Sequence, residues 1–211
     1  MANFHIIETG YFWADGGAMF GPIPKKYWHK RYPSNHNNMC LMAMRCLFIE
    51  TDRHKILVDC GAGDKQLNKL KFYQPHNLKD LRAEIGKIGY SPDEVTDVVL
   101  THLHFDHCGG SIKREGDQLV PAFPRAIFWS NAAHWDWAVH PNDREKASFL
   151  KENILPIKQS GQLKFIPDAG LVAGSNQLRS ASFADGFDIR FVDGHTQSMM
   201  LPQLQYKGHT I

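Results

Sequence analysis

Long apolar runs are missing from this chain. No stretch approaches the roughly 18 apolar residues that a membrane helix needs, so no membrane span is expected. The opening Met1-Ala2-Asn3-Phe4-His5 lacks the basic head and apolar run of a secretory signal, which points to a cytoplasmic protein. A charge excess is missing too. Lys and Arg total 24 against 22 Asp and Glu, a formal charge of +2, so net charge gives nucleic acid no support as a partner. Paired cysteines are absent: Cys40, Cys46, Cys60 and Cys108 are scattered with no C-x-x-C, and they read as reduced, buried thiols. Repeats and low-complexity linkers are also absent, so residues 1–211 read as one domain. What the chain does have is histidine, 12 in 211 residues, well over twice ordinary usage. Imidazole is the commonest metal ligand and a frequent acid or base.

Along the chain, strands and helices interleave, so the expected class is mixed α and β. Phe4 to Ile7 reads as a short strand. Tyr11 to Trp28, rich in Gly, Pro and aromatics, reads as a loop by its breakers. Cys40–Ile49 and Lys55–Asp59 read as a hairpin turning at Thr51 to His54. The unbroken Ile56-Leu57-Val58 suits a strand buried on both faces. Leu78, Leu81, Ile85 and Ile88 fall at helical spacing with Gly89 behind them. Ser91-Pro92-Asp93-Glu94 is a capping box. Val98–Leu100 and Ala126–Trp129 read as further strands. Ser130 or Asn131 is placed to cap a helix through Val139, and a second helix is expected from Arg144 to Ile154, stopped by Pro156. Leu163–Ile166, a pair about an Asp185-Gly186 turn, and Met199–Tyr206 complete the strands.

The chemistry concentrates in Thr101-His102-Leu103-His104-Phe105-Asp106-His107-Cys108-Gly109-Gly110. This segment follows the apolar Val98–Leu100 directly. On an extended chain His102 and His104 point to the same side, so both can grip one ion. Asp106 and His107 lie beyond, where the chain turns, and can reach a second ion. Neutral imidazole and carboxylate suit Zn, and also Fe or Mn. A polar loop with accidental histidines is the competing explanation, and the number of potential ligands outweighs it.

His-x-His-x-Asp-His after an apolar strand, followed by Gly-Gly, resembles the signature of the metallo-β-lactamase superfamily. Asp59-Cys60-Gly61 resembles that family's earlier Asp-x-Gly motif, and Gly194-His195-Thr196 after Ile189–Val192 resembles its later Gly-His-Thr. The resemblance implies an α+β fold, an αββα sandwich of two mixed sheets flanked by helices, incomplete at the C-terminus. It implies a first metal on His102, His104 and His195, and a second involving Asp106 and His107. Asp59 would orient a ligand, and Asp106 would bind the second metal or accept a proton. The cofactor implied is one or two Zn ions. The family adds a bridging acid and a final histidine after the third motif. Here Thr196 to Ile211 holds no Asp or Glu, and His209 reads as a solvated turn residue. The chain stops one or two residues into a new strand, so it is expected to be the N-terminal part of a longer protein.

Within that family, the aromatic and glycine-rich Phe12 to Gly21, with Phe105, is similar to the N-acyl homoserine lactonase branch. The expected activity is a metal-dependent hydrolase whose metal-activated hydroxide attacks an ester, lactone or related bond of a small molecule. The alternatives are a catalytically weak metal-binding or partner-binding scaffold and, further off, a nuclease. The basic and aromatic Lys25 to Arg31 is what a nuclease reading would use, though a charged loop explains it as well. A homodimer is left open. His134 reads as a satisfied, half-buried histidine, Cys108 as a buried thiol, and Asp64 and Asp168 as solvated loop acids.

Overall fold

A computed structural model describes residues 2–168, 179–184 and 186–211. The strands are β1 (Asn3–Asp15), β2 (Met39–Glu50), β3 (Lys55–Val58), β4 (Asp97–Val99), β5 (Ile112–Glu115), β6 (Gln118–Pro121), β7 (Ile127–Ser130), β8 (Leu163–Phe165), β9 (Ser180–Ala184), β10 (Phe187–Val192), β11 (Met199–Tyr206) and β12 (His209–Thr210). The helices are α1 (Gly16–Phe20), α2 (Lys25–Trp28), α3 (Leu81–Lys87), α4 (Phe105–Cys108), α5 (Ala132–Val139) and α6 (Lys151–Gln159). Six strands form one sheet in the order β1-β2-β3-β4-β7-β8, and four form another in the order β12-β11-β10-β9. A separate hairpin pairs β5 with β6.

Period-two alternation explains the layering. Ile56 and Val58 of β3 point to one face, where they meet Phe187, Ile189, Phe191 and Met200 of the smaller sheet. Leu57, between them, points to the other face and packs with Phe48, Val98 and Phe128 against Ile85 of α3, Trp135 of α5 and Ile154 and Ile157 of α6. Ile56 and Leu57 are fully buried and Val58 is 7% exposed, as a strand covered on both faces must be. The described residues therefore stack as helices, large sheet, small sheet. No described helix contributes a buried residue to the cluster between the sheets.

The large sheet mixes antiparallel pairs, β1–β2 and β2–β3, with parallel pairs, β3–β4, β4–β7 and β7–β8. Loops leaving the carboxyl ends of parallel strands are where such sheets place ligands. Asp59 follows β3 there, and Thr101 to His107 follows β4.

Several expectations need correction. Tyr11 to Asp15 is not loop but the second half of β1, which continues past a bulge between Glu8 and Gly10 because Tyr11, Phe12 and Trp13 still pair with Ala43, Met42 and Leu41. Only then do the breakers act, and the chain folds into the short α1 and α2. The helix expected to start near Leu78 begins at Leu81, where the Asp80 carboxylate accepts from the Arg82 N–H as N-cap. No helix runs from Arg144 to Ile154. Instead α6 starts at Lys151 and carries Pro156 inside it. One backbone hydrogen bond is lost there, while Asn153, Ile154, Pro156 and Ile157 bury a common face. Asp168 is not a solvated acid: Arg179 lies 3.4 Å from its carboxylate and the Ser198 hydroxyl donates to it at 3.3 Å. The β9–β10 hairpin is present, but Asp185 of its expected turn lies outside the described residues. All four cysteines are buried free thiols. No described helix is long and apolar enough to cross a membrane.

Candidate metal centre

Asp59 organises the approach to the site. It ends β3 in the left-handed region, φ 59°, which turns its carboxylate towards the neighbouring strand end. There it accepts the Thr101 N–H at 2.8 Å, the Thr101 hydroxyl at 2.8 Å and the His107 Nδ1–H at 2.7 Å. One carboxylate thus fixes the start of the histidine segment and the ring at its end. The glycines that close the motif have a steric reason. A Cβ at Gly110 would lie 2.1 Å from the Cys60 carbonyl oxygen, and one at Gly109 would lie 2.1 Å from that of Ala62. This close passage lets Cys60 N–H donate to the His107 carbonyl at 2.7 Å and Gly110 N–H to that of Gly61 at 2.9 Å.

His102, His104 and His195 converge, each offering a ligand atom within 4.8 Å of the others. His102 and His104 are almost fully buried, while His195 is exposed. Leu103, between the first two, turns the opposite way into the core, so the same-side reading of an extended segment holds. The His102 Nδ1 lies 3.1 Å from the Thr101 hydroxyl, and its buried Nε2 has no hydrogen-bond partner among the described residues. The His104 Nδ1 stands 3.2 Å from the His195 Nε2. Beside them, the Asp106 carboxylate is 3.4 Å from the His107 Nε2, and the His102 and His107 rings lie 4.0 Å apart. The expected second-site pair is therefore adjacent to the first cluster.

The electrostatics suit cation binding. Burial, followed by repulsion from neighbouring imidazoles, holds His102 and His104 well below the ordinary histidine range. Burial also lowers His195. These rings are neutral at pH 7 and keep the lone pairs a cation requires. His107 behaves oppositely. Burial would lower it, but Asp106 and Asp59 outweigh burial and hold it up to about 9. An orphaned buried Nε2, three converging neutral imidazoles and a neighbouring acid fit a dication bound through N and O donors.

The third motif is tied to this scaffold by groups whose tethering role the sequence does not show. Met200 N–H donates to the Thr101 carbonyl at 2.8 Å, and the Asn131 side-chain amide donates to the Ser198 carbonyl at 2.8 Å. His134 is fully buried rather than half-buried. Its Nε2 accepts the Leu103 N–H at 2.9 Å and its Nδ1 donates to the Gln197 carbonyl at 2.6 Å. Glu145, in a stretch that otherwise faces solvent, is 5% exposed and accepts the Thr196 hydroxyl at 2.7 Å. Its local sequence, Asn142-Asp143-Arg144-Glu145, looks like any charged turn.

Above the histidines opens a cavity of about 760 Å³, with His104, Asp106, His107 and His195 on its floor. Phe12, Met19, Phe20, Met42, Tyr73 and Phe105 line an apolar wall. The Phe12 and Phe105 rings meet edge to face, 6.0 Å between centroids. The aromatic N-terminal segment thus both packs and lines the site.

A family model described as the metallo-beta-lactamase superfamily matches residues 45–174. The chain belongs to the metallo-beta-lactamase superfamily. It is 27% identical over 122 residues to an N-acyl homoserine lactonase of Bacillus thuringiensis, covering 53% of this chain and 43% of that protein. It is 32% identical over 123 residues to a probable metallo-hydrolase of Mycobacterium tuberculosis, covering 52% and 36%. The matches therefore span less than half the length of these curated relatives. Its fold is similar to that of a probable metal-dependent hydrolase from Staphylococcus aureus, with TM-score 0.84 and 23% identity over 99% of this chain and 70% of that one. AidC, a dizinc quorum-quenching lactonase solved with its product, superposes with TM-score 0.70 and 18% identity over 99% and 69%.

Proposed function

We propose that this protein is a metal-dependent hydrolase of a small-molecule ester or lactone, with zinc as the resident metal. The observation that carries this reading is the convergence of His102, His104 and His195, with His104 and His195 on the floor of the cavity beside Asp106. His102, His104 and His195 would hold the first cation, and Asp106 and His107 would contribute to a second. A dication held there would supply Lewis acidity, easing deprotonation of water and offsetting negative charge on a carbonyl oxygen. The chain's own residues do the remainder. Asp59 holds the His107 ring through its Nδ1–H, leaving Nε2 turned towards Asp106. The Asp106 carboxylate, on the cavity floor, is placed to accept a proton from an attacking water. The wall built by Phe12, Met19, Phe20 and Phe105 excludes water and takes up hydrocarbon next to the reacting carbonyl. The likeness to the Bacillus thuringiensis lactonase supports this substrate class.

The test is metal analysis of the purified protein, followed by assay with a panel of lactones, aryl esters and phosphotriesters. Zinc in the protein, with metal-dependent turnover of a lactone or ester carrying a hydrocarbon tail, is the expected result. Protein that takes up no divalent metal would defeat the reading. Turnover of phosphotriesters alone would move the substrate class.

A further inference from the structure

Glu145 stands where two ligand-bearing segments meet. Its Oε2 accepts the Thr196 hydroxyl at 2.7 Å and the Trp137 indole N–H at 3.1 Å, and its Oε1 accepts from the Arg144 guanidinium at 2.8 Å. The same Oε2 lies 3.6 Å from the His104 Nε2. That nitrogen is buried and has no hydrogen-bond partner among the described residues. The opposite nitrogen of the ring, Nδ1, faces the His195 Nε2 at 3.2 Å. The His104 ring is therefore aimed, with Nδ1 towards the other histidines and Nε2 towards a carboxylate.

A neutral imidazole has one N–H and one free lone pair. Which nitrogen carries the proton is set by the hydrogen bond that the other groups offer it. A carboxylate opposite Nε2 can only accept, so it selects the tautomer with the proton on Nε2 and the lone pair on Nδ1. That lone pair then points where the cation would lie. Through Thr196 the same carboxylate grips the residue immediately after His195. Thr196 is buried, whereas His195 is exposed, so this grip limits how far the third ligand can swing.

We propose that Glu145 is a positioning residue of the metal centre: its carboxylate, facing the His104 Nε2 at 3.6 Å, favours the tautomer protonated there and, through Thr196, holds the His195 loop in register with it. The proposal rests on reading the three histidines as metal ligands. Arg144 adds to the clamp, since its guanidinium donates to the His195 carbonyl at 3.3 Å as well as to Glu145. Glu145 acts on the cation only through the two histidines, because it lies on the Nε2 side of the His104 ring, opposite the Nδ1 that faces His195.

The experiment measures zinc affinity by competition with a chromophoric chelator for the 211-residue chain, alongside Glu145→Ala, Glu145→Gln and His104→Ala. The visible spectrum of the cobalt-substituted protein and the unfolding midpoint of the metal-free protein are recorded for each. Removal of a carboxylate behind a metal-bound imidazole weakens metal binding by about 10–100-fold, and Glu145→Ala is expected in that range. Glu145→Gln keeps shape and an accepting oxygen but not the charge. It should retain the metal-free unfolding midpoint, bind zinc about 10-fold more weakly than the parent, and shift the cobalt bands. A purely structural role would move the midpoint and leave the cobalt spectrum unchanged. Zinc affinity within twofold of the parent in both Glu145 variants would overturn the proposal while leaving the histidine reading intact. Parent protein that binds no zinc, or His104→Ala that binds it unchanged, would overturn the ligand reading and the proposal with it. Should Glu145→Ala fail to fold, the isosteric Gln variant decides alone, by the same affinity and spectrum.

Discussion

The two halves of the histidine cluster are built differently. His102 and His104 are 2% and 6% exposed and hang from the carboxyl end of β4, with Leu103 buried between them. His195 is exposed and sits on the loop between β10 and β11. The first pair inherits its geometry from the core, because moving either ring means disturbing a buried strand end and the Asp59–Thr101 hydrogen bonds. The third has no such core beneath it. It is held by polar tethers: Asn131 to Ser198, His134 to Gln197, Glu145 to Thr196 and the Met200 N–H to Thr101. In the proposed centre this gives two fixed ligands and one that can be adjusted. Exposed loops on a rigid scaffold are where such adjustable groups sit.

The largest expected effect comes from removing a fixed ligand. Zinc sites of three or four protein ligands are worth about 10–16 kcal/mol in total, so one ligand accounts for about 3 kcal/mol or more. His102→Ala or His104→Ala should therefore weaken zinc binding by more than about 100-fold. His195→Ala should cost less, because water can enter an exposed ligand position. Chelator competition on the three variants checks this ranking. Equal losses at all three positions would erase the proposed division between fixed and adjustable ligands.

Next in size is the support behind the fixed pair. A methyl group at Gly110 would meet the Cys60 carbonyl oxygen at 2.1 Å, which is backbone and cannot rotate away. Overpacking of this kind costs about 1–3 kcal/mol. For a chain of this size that corresponds to a Tm loss of roughly 6–12 °C at the upper end. Gly208→Ala is the control: nothing lies within 4 Å of its Cβ position, although its φ of 80° still imposes some strain. A thermal melt showing Gly110→Ala no worse than Gly208→Ala would mean that the Asp59 and histidine loops are not so closely apposed.

Much of the fixed region could be read directly from residue order. Ile56-Leu57-Val58 and Val98-Val99 are apolar runs that only a doubly covered strand explains, and the histidine motif directly follows the second. The Met199–Tyr206 strand is also legible, with Met200 and Leu204 buried in it. The tethering region was not legible. Glu145 lies among exposed neighbours, and its burial depends on Thr196, 51 positions away. The Arg144–Ile154 helix was misplaced for the same reason. Residues 143–148 form turns, the Ser148 carbonyl accepts the Phe105 N–H and Glu145 binds Thr196, so helix begins only at Lys151. Local pattern registers burial by a continuous face. It does not register burial of a single side chain by a distant loop.

A subtler effect of pH sets His107 apart from the histidines of both parts. In the metal-free protein His102, His104, His134 and His195 all have depressed folded values, with burial as the leading cause. Above about 6.5, the ordinary histidine value, they are neutral in both folded and unfolded chains and cost nothing. Below it the unfolded chain takes up protons that the folded chain refuses, so stability falls with pH. His107 has the opposite sign. Against burial, Asp106 and Asp59 hold it up to about 9. Its contribution is complete below about 6.5 and is lost as pH rises towards 9. Chelator-treated protein should therefore be most stable near pH 6.5 and weaken on both sides. Denaturant midpoints at pH 5, 6.5 and 9 test this. Stability still rising at pH 9 would show that the His107–Asp59–Asp106 cluster does not form without metal.

The smallest expected effect is at His209, and its smallness is informative. In this superfamily a histidine late in the chain belongs to the metal centre, and among the residues that follow His195 only His209 carries an imidazole. Its position argues against that role here. It lies in β12, two residues long, paired with Tyr206 at the far side of the small sheet, and it is exposed. It is also absent from the converging group formed by His102, His104 and His195. Exposed substitutions away from special features change stability by no more than about 0.5 kcal/mol. His209→Ala should therefore leave zinc content, zinc affinity and Tm unaltered within error. A fall in zinc stoichiometry in this variant would mean that the edge strand reaches the site in solution, and that the looser half of the centre extends to the last residues of the chain.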